Sequence, residues 1–168
     1  MKKKEIGILG LGSMGTAIAK HLKKKYKIYG YDIKKFNTLK SSKNFFFTKN
    51  LKEIFLKTNI FIVIVLDEDQ CQTIFDSFID IKKRLKIKKN YTIINCTTVS
   101  PNWVKKTYKK LQKNNFEYID CPVSGGPKKA INGKLSLILS SKKVTYKKNL
   151  ALLKNIGNNI YNLGNKIG

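Results

Sequence analysis

Glu5-Ile6-Gly7-Ile8-Leu9 runs directly into Gly10-Leu11-Gly12-Ser13-Met14-Gly15, and this join decides how the rest of the chain is read. A short apolar run of strand character meets three glycines spaced GxGxxG, and a helix-period segment opens behind them, from Ser13 to about Lys25. Each glycine has its own reason to be there. Gly10 permits a tight turn, Gly12 lets a ligand approach the backbone, and Gly15 lets the new helix lie close against the strand. The exposed amides at such a helix start attract a phosphate.

Outward from this turn, apolar runs and helix-period segments alternate without an internal repeat or a Pro/Ser-rich linker. Strands are predicted at Lys27–Tyr31, Asn44–Thr48, Asn59–Leu66, Tyr91–Cys96, Phe116–Asp120, Leu135–Leu139 and Ile160–Leu163. Helices are predicted at Ile33–Leu39, Leu51–Lys57, Gln70–Lys86, Pro101–Lys113 and Tyr146–Ile156, with a Gly-rich turn at Pro122–Pro127. Asn59–Leu66 is apolar on both faces, as a central parallel strand should be. The expected fold class is therefore α/β, a doubly wound and mainly parallel Rossmann sheet with right-handed crossovers. Such sheets bind ligands beyond the carboxyl ends of their strands, after Leu9, Tyr31, Leu66, Cys96 and Asp120.

Asp32 lies at the end of the second predicted strand, 22 residues after Gly10. A carboxylate there accepts hydrogen bonds from adenosine ribose hydroxyls, which together with the glycine turn points to a dinucleotide. The alternative role is a turn residue closing its strand. Asp32 favours NAD, since it would repel the 2′-phosphate of NADP; Lys34 and Lys35 could neutralise that phosphate and keep NADP open.

Composition excludes several other classes. Thirty-four lysines and one arginine, Arg84, stand against ten acidic residues, a formal net charge of +25. Nucleic-acid sites recruit Arg for bidentate contacts, whereas these lysines are spread over every predicted helix. Phe, Tyr, Met, Ile, Asn and Lys make up 90 of 168 residues and Ala only four, a pattern of A/T-rich codons. Nucleic acid is accordingly disfavoured as a partner, although the field should draw in a polyanionic dinucleotide. The longest apolar run, Ile60–Leu66, is strand-sized, so no membrane span is expected. Cys71, Cys96 and Cys121 lack CxxC spacing, which argues against both a disulfide scaffold and a zinc site. A cytoplasmic domain is the expectation, with Cys96 and Cys121 as small buried apolar residues and His21 in a packing role.

A second motif lies at Asp120-Cys121-Pro122-Val123-Ser124-Gly125-Gly126-Pro127-Lys128-Lys129-Ala130-Ile131-Asn132-Gly133-Lys134-Leu135. Ser124, Gly125 and Gly126 offer a hydroxyl and approachable amides, a cradle for a substrate carboxylate or hydroxyl; a plain glycine turn fits the local sequence equally well. With Gly10–Gly15, Thr97-Thr98-Val99-Ser100-Pro101 and this stretch in order, the chain resembles the β-hydroxyacid dehydrogenase family, of 3-hydroxyisobutyrate dehydrogenase and tartronate semialdehyde reductase type.

The resemblance implies an oxidoreductase that moves a hydride between nicotinamide and a small 3-hydroxy acid. It implies cofactor contacts at Gly10, Leu11, Gly12, Ser13, Met14, Gly15, Asp32, Leu66, Asp67 and Thr98, and substrate contacts at Ser124, Gly125 and Gly126. Asp67 departs from the family, where Pro usually follows the Leu. The family's catalytic Lys is expected beyond Gly168, so no catalytic residue is assigned, and no metal is implied. Residues 1–163 would form the dinucleotide domain, residues 164–168 the start of an interdomain segment, and the family's C-terminal all-helical domain would be absent. A truncated, incomplete catalyst or a non-catalytic dinucleotide-binding remnant follows, with self-association or a separate helical-domain partner. Tyr161, Leu163 and Ile167 are the expected exposed apolar residues.

Overall fold

The computed structural model describes residues 3–34 and 41–168. In chain order the elements are β1 (Glu5–Leu9), α1 (Ser13–Leu22), β2 (Lys27–Tyr31), β3 (Phe45–Thr48), α2 (Leu51–Lys57), β4 (Ile60–Val63) and α3 (Glu68–Arg84). There follow β5 (Tyr91–Asn95), α4 (Pro101–Lys113), β6 (Phe116–Asp120), β7 (Val123–Ser124), α5 (Gly126–Ala130), β8 (Leu135–Ser141), α6 (Lys143–Ile156) and β9 (Gly157–Asn162).

The sheet order β3-β2-β1-β4-β5-β6 is parallel throughout, a Rossmann arrangement. The chain builds outward from β1 to β3, then returns to the other side of β1 and continues from β4 to β6. The reversal leaves a crevice between β1 and β4, where such sheets take ligands. β8 then runs antiparallel to β6 and β7, and β9 closes the edge parallel to β8.

Alternate side chains of the central strands enter two cores. Ile6, Ile8, Ile62, Ile94 and Ile119 pack under α1 and α6 with Ile18, Leu22, Leu152 and Leu153. Phe61, Val63, Ile93 and Tyr118 point the other way, into the side chains Phe55, Phe75, Phe78, Val104 and Leu111 of α2, α3 and α4. Because both faces are covered, these strands read as continuous apolar runs rather than alternating ones. An aromatic group fills the second core, with Phe55 stacked on Tyr91 at 4.3 Å and Phe61 tilted on Phe78 at 4.4 Å between ring centroids.

Several boundaries differ from expectation for identifiable reasons. The helix α1 ends at Leu22, because Lys23, Lys24 and Lys25 turn back their amides onto Ala19, His21 and Leu22. The helix α3 starts at Glu68 rather than Gln70, because Asp67 caps it by accepting the Gln70 amide at 2.9 Å. The predicted turn Pro122–Pro127 contains β7 and the start of α5, since Val123 and Ser124 pair with Leu137 and Ser136. Of the predicted helix Ile33–Leu39, residues 35–39 lie outside the described residues, while Ile33 and Lys34 form a bend. Tyr161 and Leu163 are exposed as expected, but Ile167 is buried in the second core.

Candidate functional site

The glycine turn is held from both sides. The Gly10 amide donates to the Tyr31 carbonyl at 2.9 Å, and the Leu9 carbonyl accepts the Ile64 amide at 2.9 Å. Gly10 has φ +92°, and a Cβ there would collide with the Ile64 carbonyl oxygen. A Cβ on Gly15 would collide with the carbonyl oxygen of Gly10, so helix and turn meet at backbone distance. Gly12 is different: a Cβ there would meet nothing within 4 Å. That open space faces the start of α1.

Gly12 occupies the N-cap position without a side chain to cap the helix. The first intrahelical bond is donated by Thr16 to the Gly12 carbonyl at 2.9 Å, so the preceding first-turn amides have no helical acceptor. Gly12 and Ser13 are exposed and Met14 half-buried. Leu11 has its side chain buried in the first core, while its carbonyl accepts the Thr16 hydroxyl at 2.6 Å. The open space, free amides and positive dipole end suit a pyrophosphate.

Asp32 stands directly beside this turn. One carboxylate oxygen accepts the Leu11 amide at 2.7 Å and the other accepts the Lys34 amide at 2.9 Å. Each oxygen keeps acceptor capacity for a ribose hydroxyl. Lys35, the other candidate neighbour of a 2′-phosphate, lies outside the described residues.

Two loops form the next part of the rim. After β4, Leu66 is 81% exposed, and Asp67 is committed to capping α3. After β5, Thr97 is buried and accepts the Val65 amide on its hydroxyl at 3.0 Å, whereas Thr98 is exposed. Glu68 accepts the Ser100 amide at 2.7 Å, and hydrogen bonding from the Ser100 hydroxyl and then from that amide holds its carboxyl below the ordinary range. Sequence reasoning missed Glu68 and Thr97. The available signal was Asp67-Glu68-Asp69, three of the ten acidic residues, immediately before a helix.

The second motif follows β6. Ser124 is exposed on β7 opposite Ser136, and Gly125 takes φ +132° before the short helix α5. The rest of that motif is structural. Ala130 is buried in the first core, and Gly133 sits beneath His21, where a Cβ would lie 2.5 Å from Nε2. His21 Nδ1 is 3.1 Å from the Ile131 carbonyl oxygen. Asp120 pairs with Asn95 on one side and Ser140 on the other. Burial pushes its carboxyl up to about 6.

Cys96 and Cys121 are buried in the first core and Cys71 in the second. Among the described residues, no three His, Cys, Asp or Glu side chains are grouped to hold a metal ion. No helix there is long and apolar enough to cross a membrane. The sequence-predicted contact positions Gly10–Gly15, Asp32, Leu66, Asp67 and Thr98 follow the carboxyl ends of β1, β2, β4 and β5, while Ser124 lies on β7 and Gly125 and Gly126 lead into α5.

Comparison with known proteins agrees with this geometry. Residues 5–164 match the family model of the NAD-binding domain of 6-phosphogluconate dehydrogenase. The mitochondrial 3-hydroxyisobutyrate dehydrogenase of Drosophila melanogaster is 29% identical, over 96% of this chain and 49% of its own length. The 2-(hydroxymethyl)glutarate dehydrogenase of Eubacterium barkeri is 26% identical, over 97% of this chain and 54% of its own. The chain thus spans about half the length of the curated relatives it matches. Among solved structures, the fold is shared with an imine reductase from Myxococcus stipitatus in complex with NAD+ (TM-score 0.86, 18% identity, 100% of this chain and 56% of that one).

Proposed function

Because the chain belongs to the family of the NAD-binding domain of 6-phosphogluconate dehydrogenase, with hydroxyacid dehydrogenases among its relatives, we propose that residues 1–168 bind NAD for hydride transfer to and from a small 3-hydroxy acid. The carrying observation is the coupling of the glycine turn to Asp32 through the Leu11 amide. Gly10, Gly12, Ser13, Met14 and Gly15 take the pyrophosphate, and Asp32 takes the adenosine ribose. Leu66 and Thr98 flank the nicotinamide, which supplies or accepts the hydride when bound. Asp67 contributes by capping α3. Ser124, Gly125 and Gly126 hold the substrate's carboxylate.

No proton-transferring side chain is assigned within this chain. His21, its one histidine, is engaged with the Ile131 carbonyl. Hydroxyl proton transfer is proposed to come from a group outside residues 1–168. In that reading the segment from Gly164 marks the passage out of the dinucleotide domain.

Titration of the full chain with NADH and NADPH, followed by nucleotide fluorescence, tests the cofactor assignment. Micromolar binding that is tighter for NADH supports it; tighter NADPH binding overturns the NAD preference, and no binding overturns the assignment. NADH oxidation with methylmalonate semialdehyde or tartronate semialdehyde tests the rest. Turnover by the chain alone would overturn the proposal that the proton-transferring group lies elsewhere.

A further inference from the structure

The loops after β4 and β5 are fastened to each other at two points. The Val65 amide donates to the Thr97 hydroxyl at 3.0 Å, and the Ser100 amide donates to the Glu68 carboxylate at 2.7 Å. Glu68 is the first residue of α3, and Ser100 is the N-cap of α4. The hydroxyl of Ser100 accepts the Trp103 amide at 3.4 Å and keeps its O–H to donate toward Glu68, while its amide is held by the Glu68 carboxylate. Between the two fastenings lies Thr98, which is exposed. Thr97 fixes its position on one side and Ser100 on the other.

A carboxylate accepting a backbone amide makes a charge-assisted bond, roughly twice as strong as a neutral one. An acid in the first turn of α3 would also favour that helix end by simple dipole attraction. Asp69 lies in the same turn, and among the described residues the bond to the β5–α4 loop is made by Glu68. Dipole attraction alone therefore treats Glu68 and Asp69 alike, whereas loop anchoring singles out Glu68.

We propose that Glu68 is a positioning residue for the nicotinamide half of the cofactor: by holding the Ser100 amide, its carboxylate sets where Thr98 stands against that ring. This rests on the reading of Leu66 and Thr98 as nicotinamide neighbours. The adenosine half, held at the glycine turn and Asp32, is independent of Glu68.

The test compares NADH with ADP-ribose, which lacks the nicotinamide, on the full chain. Glu68→Ala is expected to weaken NADH binding about tenfold while leaving ADP-ribose within about twofold. Glu68→Gln, whose amide oxygen still accepts from Ser100, should recover most of the NADH affinity. Asp69→Ala should change neither ligand. Equal losses for both ligands, no loss for NADH, or an equally large effect of Asp69→Ala would overturn the proposal. Saturation-transfer NMR separates it from the underlying reading. Transfer to nicotinamide protons in the unaltered chain, lost in Glu68→Ala while adenine protons keep theirs, supports both. Transfer unchanged in Glu68→Ala overturns the role of Glu68 alone. No transfer to nicotinamide in the unaltered chain overturns the nicotinamide reading and this proposal together.

Discussion

The carboxylate of Asp32 accepts the amide of Leu11 at 2.7 Å, so the residue proposed to hold the ribose also braces the turn proposed to hold the phosphate. The consequence is coupling: a change at Asp32 disturbs both ends of the adenosine half. Asp32→Ala is expected to lower NADH affinity by about one to two orders of magnitude, the range for a lost hydrogen bond to a charged group. It should also narrow the gap between NADH and NADPH, since the repulsion of a 2′-phosphate goes with the carboxylate. Parallel fluorescence titrations check both outcomes, and an unchanged NADH-to-NADPH ratio would refute the second.

The three glycines of the turn should separate folding from binding. Gly15→Ala drives a Cβ into the Gly10 carbonyl, and relief requires α1 to move off β1. A destabilisation of about 1–3 kcal/mol is expected, as for other overpacked interiors. Gly12→Ala meets nothing within 4 Å and has an ordinary negative φ, so its thermal unfolding should stay within a few degrees of the parent. The same methyl stands in the space assigned to the pyrophosphate, and NADH binding should fall by at least an order of magnitude. Circular dichroism melts beside NADH titrations would show the split.

Lys82 is the exception in a lysine-rich surface. It is 6% exposed, and its ammonium donates to the Asn114 and Asn115 carbonyls at 3.0 and 2.9 Å, closing the end of α4. The rings of Phe116 and Tyr91 lie 4.9 and 5.6 Å from the same nitrogen. Burial lowers its pKa, and among the described residues no salt bridge reaches it. Lys82→Met keeps the aliphatic packing and strands the two carbonyls, at a cost of about 1–3 kcal/mol. Lys83→Met and Lys86→Met should fall within about 0.5 kcal/mol of the parent by urea unfolding.

How far the site could be read in the sequence follows from the range of the interactions. Gly10, Gly12 and Gly15 were legible because the constraint on each is local: a turn, an opening, a close helix. Asp32 was legible through its distance from Gly10, but its bond to Leu11 was not, since that depends on how two strand ends are juxtaposed. Val123 and Ser124 looked like part of a turn because the strand that pairs with them, Leu135–Ser141, comes later in the chain. Ile167 was expected on the surface, yet it is buried in the second core; the non-local fold supplied a cover that periodicity does not encode. Asp67 was expected as a cofactor contact, and Glu68 carried no expectation. The structure uses one to begin α3 and the other to grip Ser100.

The stability of the fold should fall as pH rises through the range of Asp120. Its carboxyl is pushed up to about 6 by burial, well above the ordinary aspartate value of about 3.9. Burial keeps the Tyr118 phenol protonated, and hydrogen bonding with Cys96 and then burial raise the Cys121 thiol; the ionised Asp120 adds to both. A carboxyl whose folded value exceeds its unfolded one stabilises the fold fully below about pH 4 and loses that contribution as pH climbs past 6. The loss is on the order of 2 kcal/mol, discounted for the residual solvent contact of a half-buried group. Asp120→Asn has no charge to bury. It should therefore match the parent chain near pH 4 and exceed it in stability at pH 7–8. Urea unfolding across pH 4–8 measures the difference directly; a gap that is constant with pH, or one that opens toward acid, would show that Asp120 is solvated and paired in a way its place between Asn95 and Ser140 does not allow.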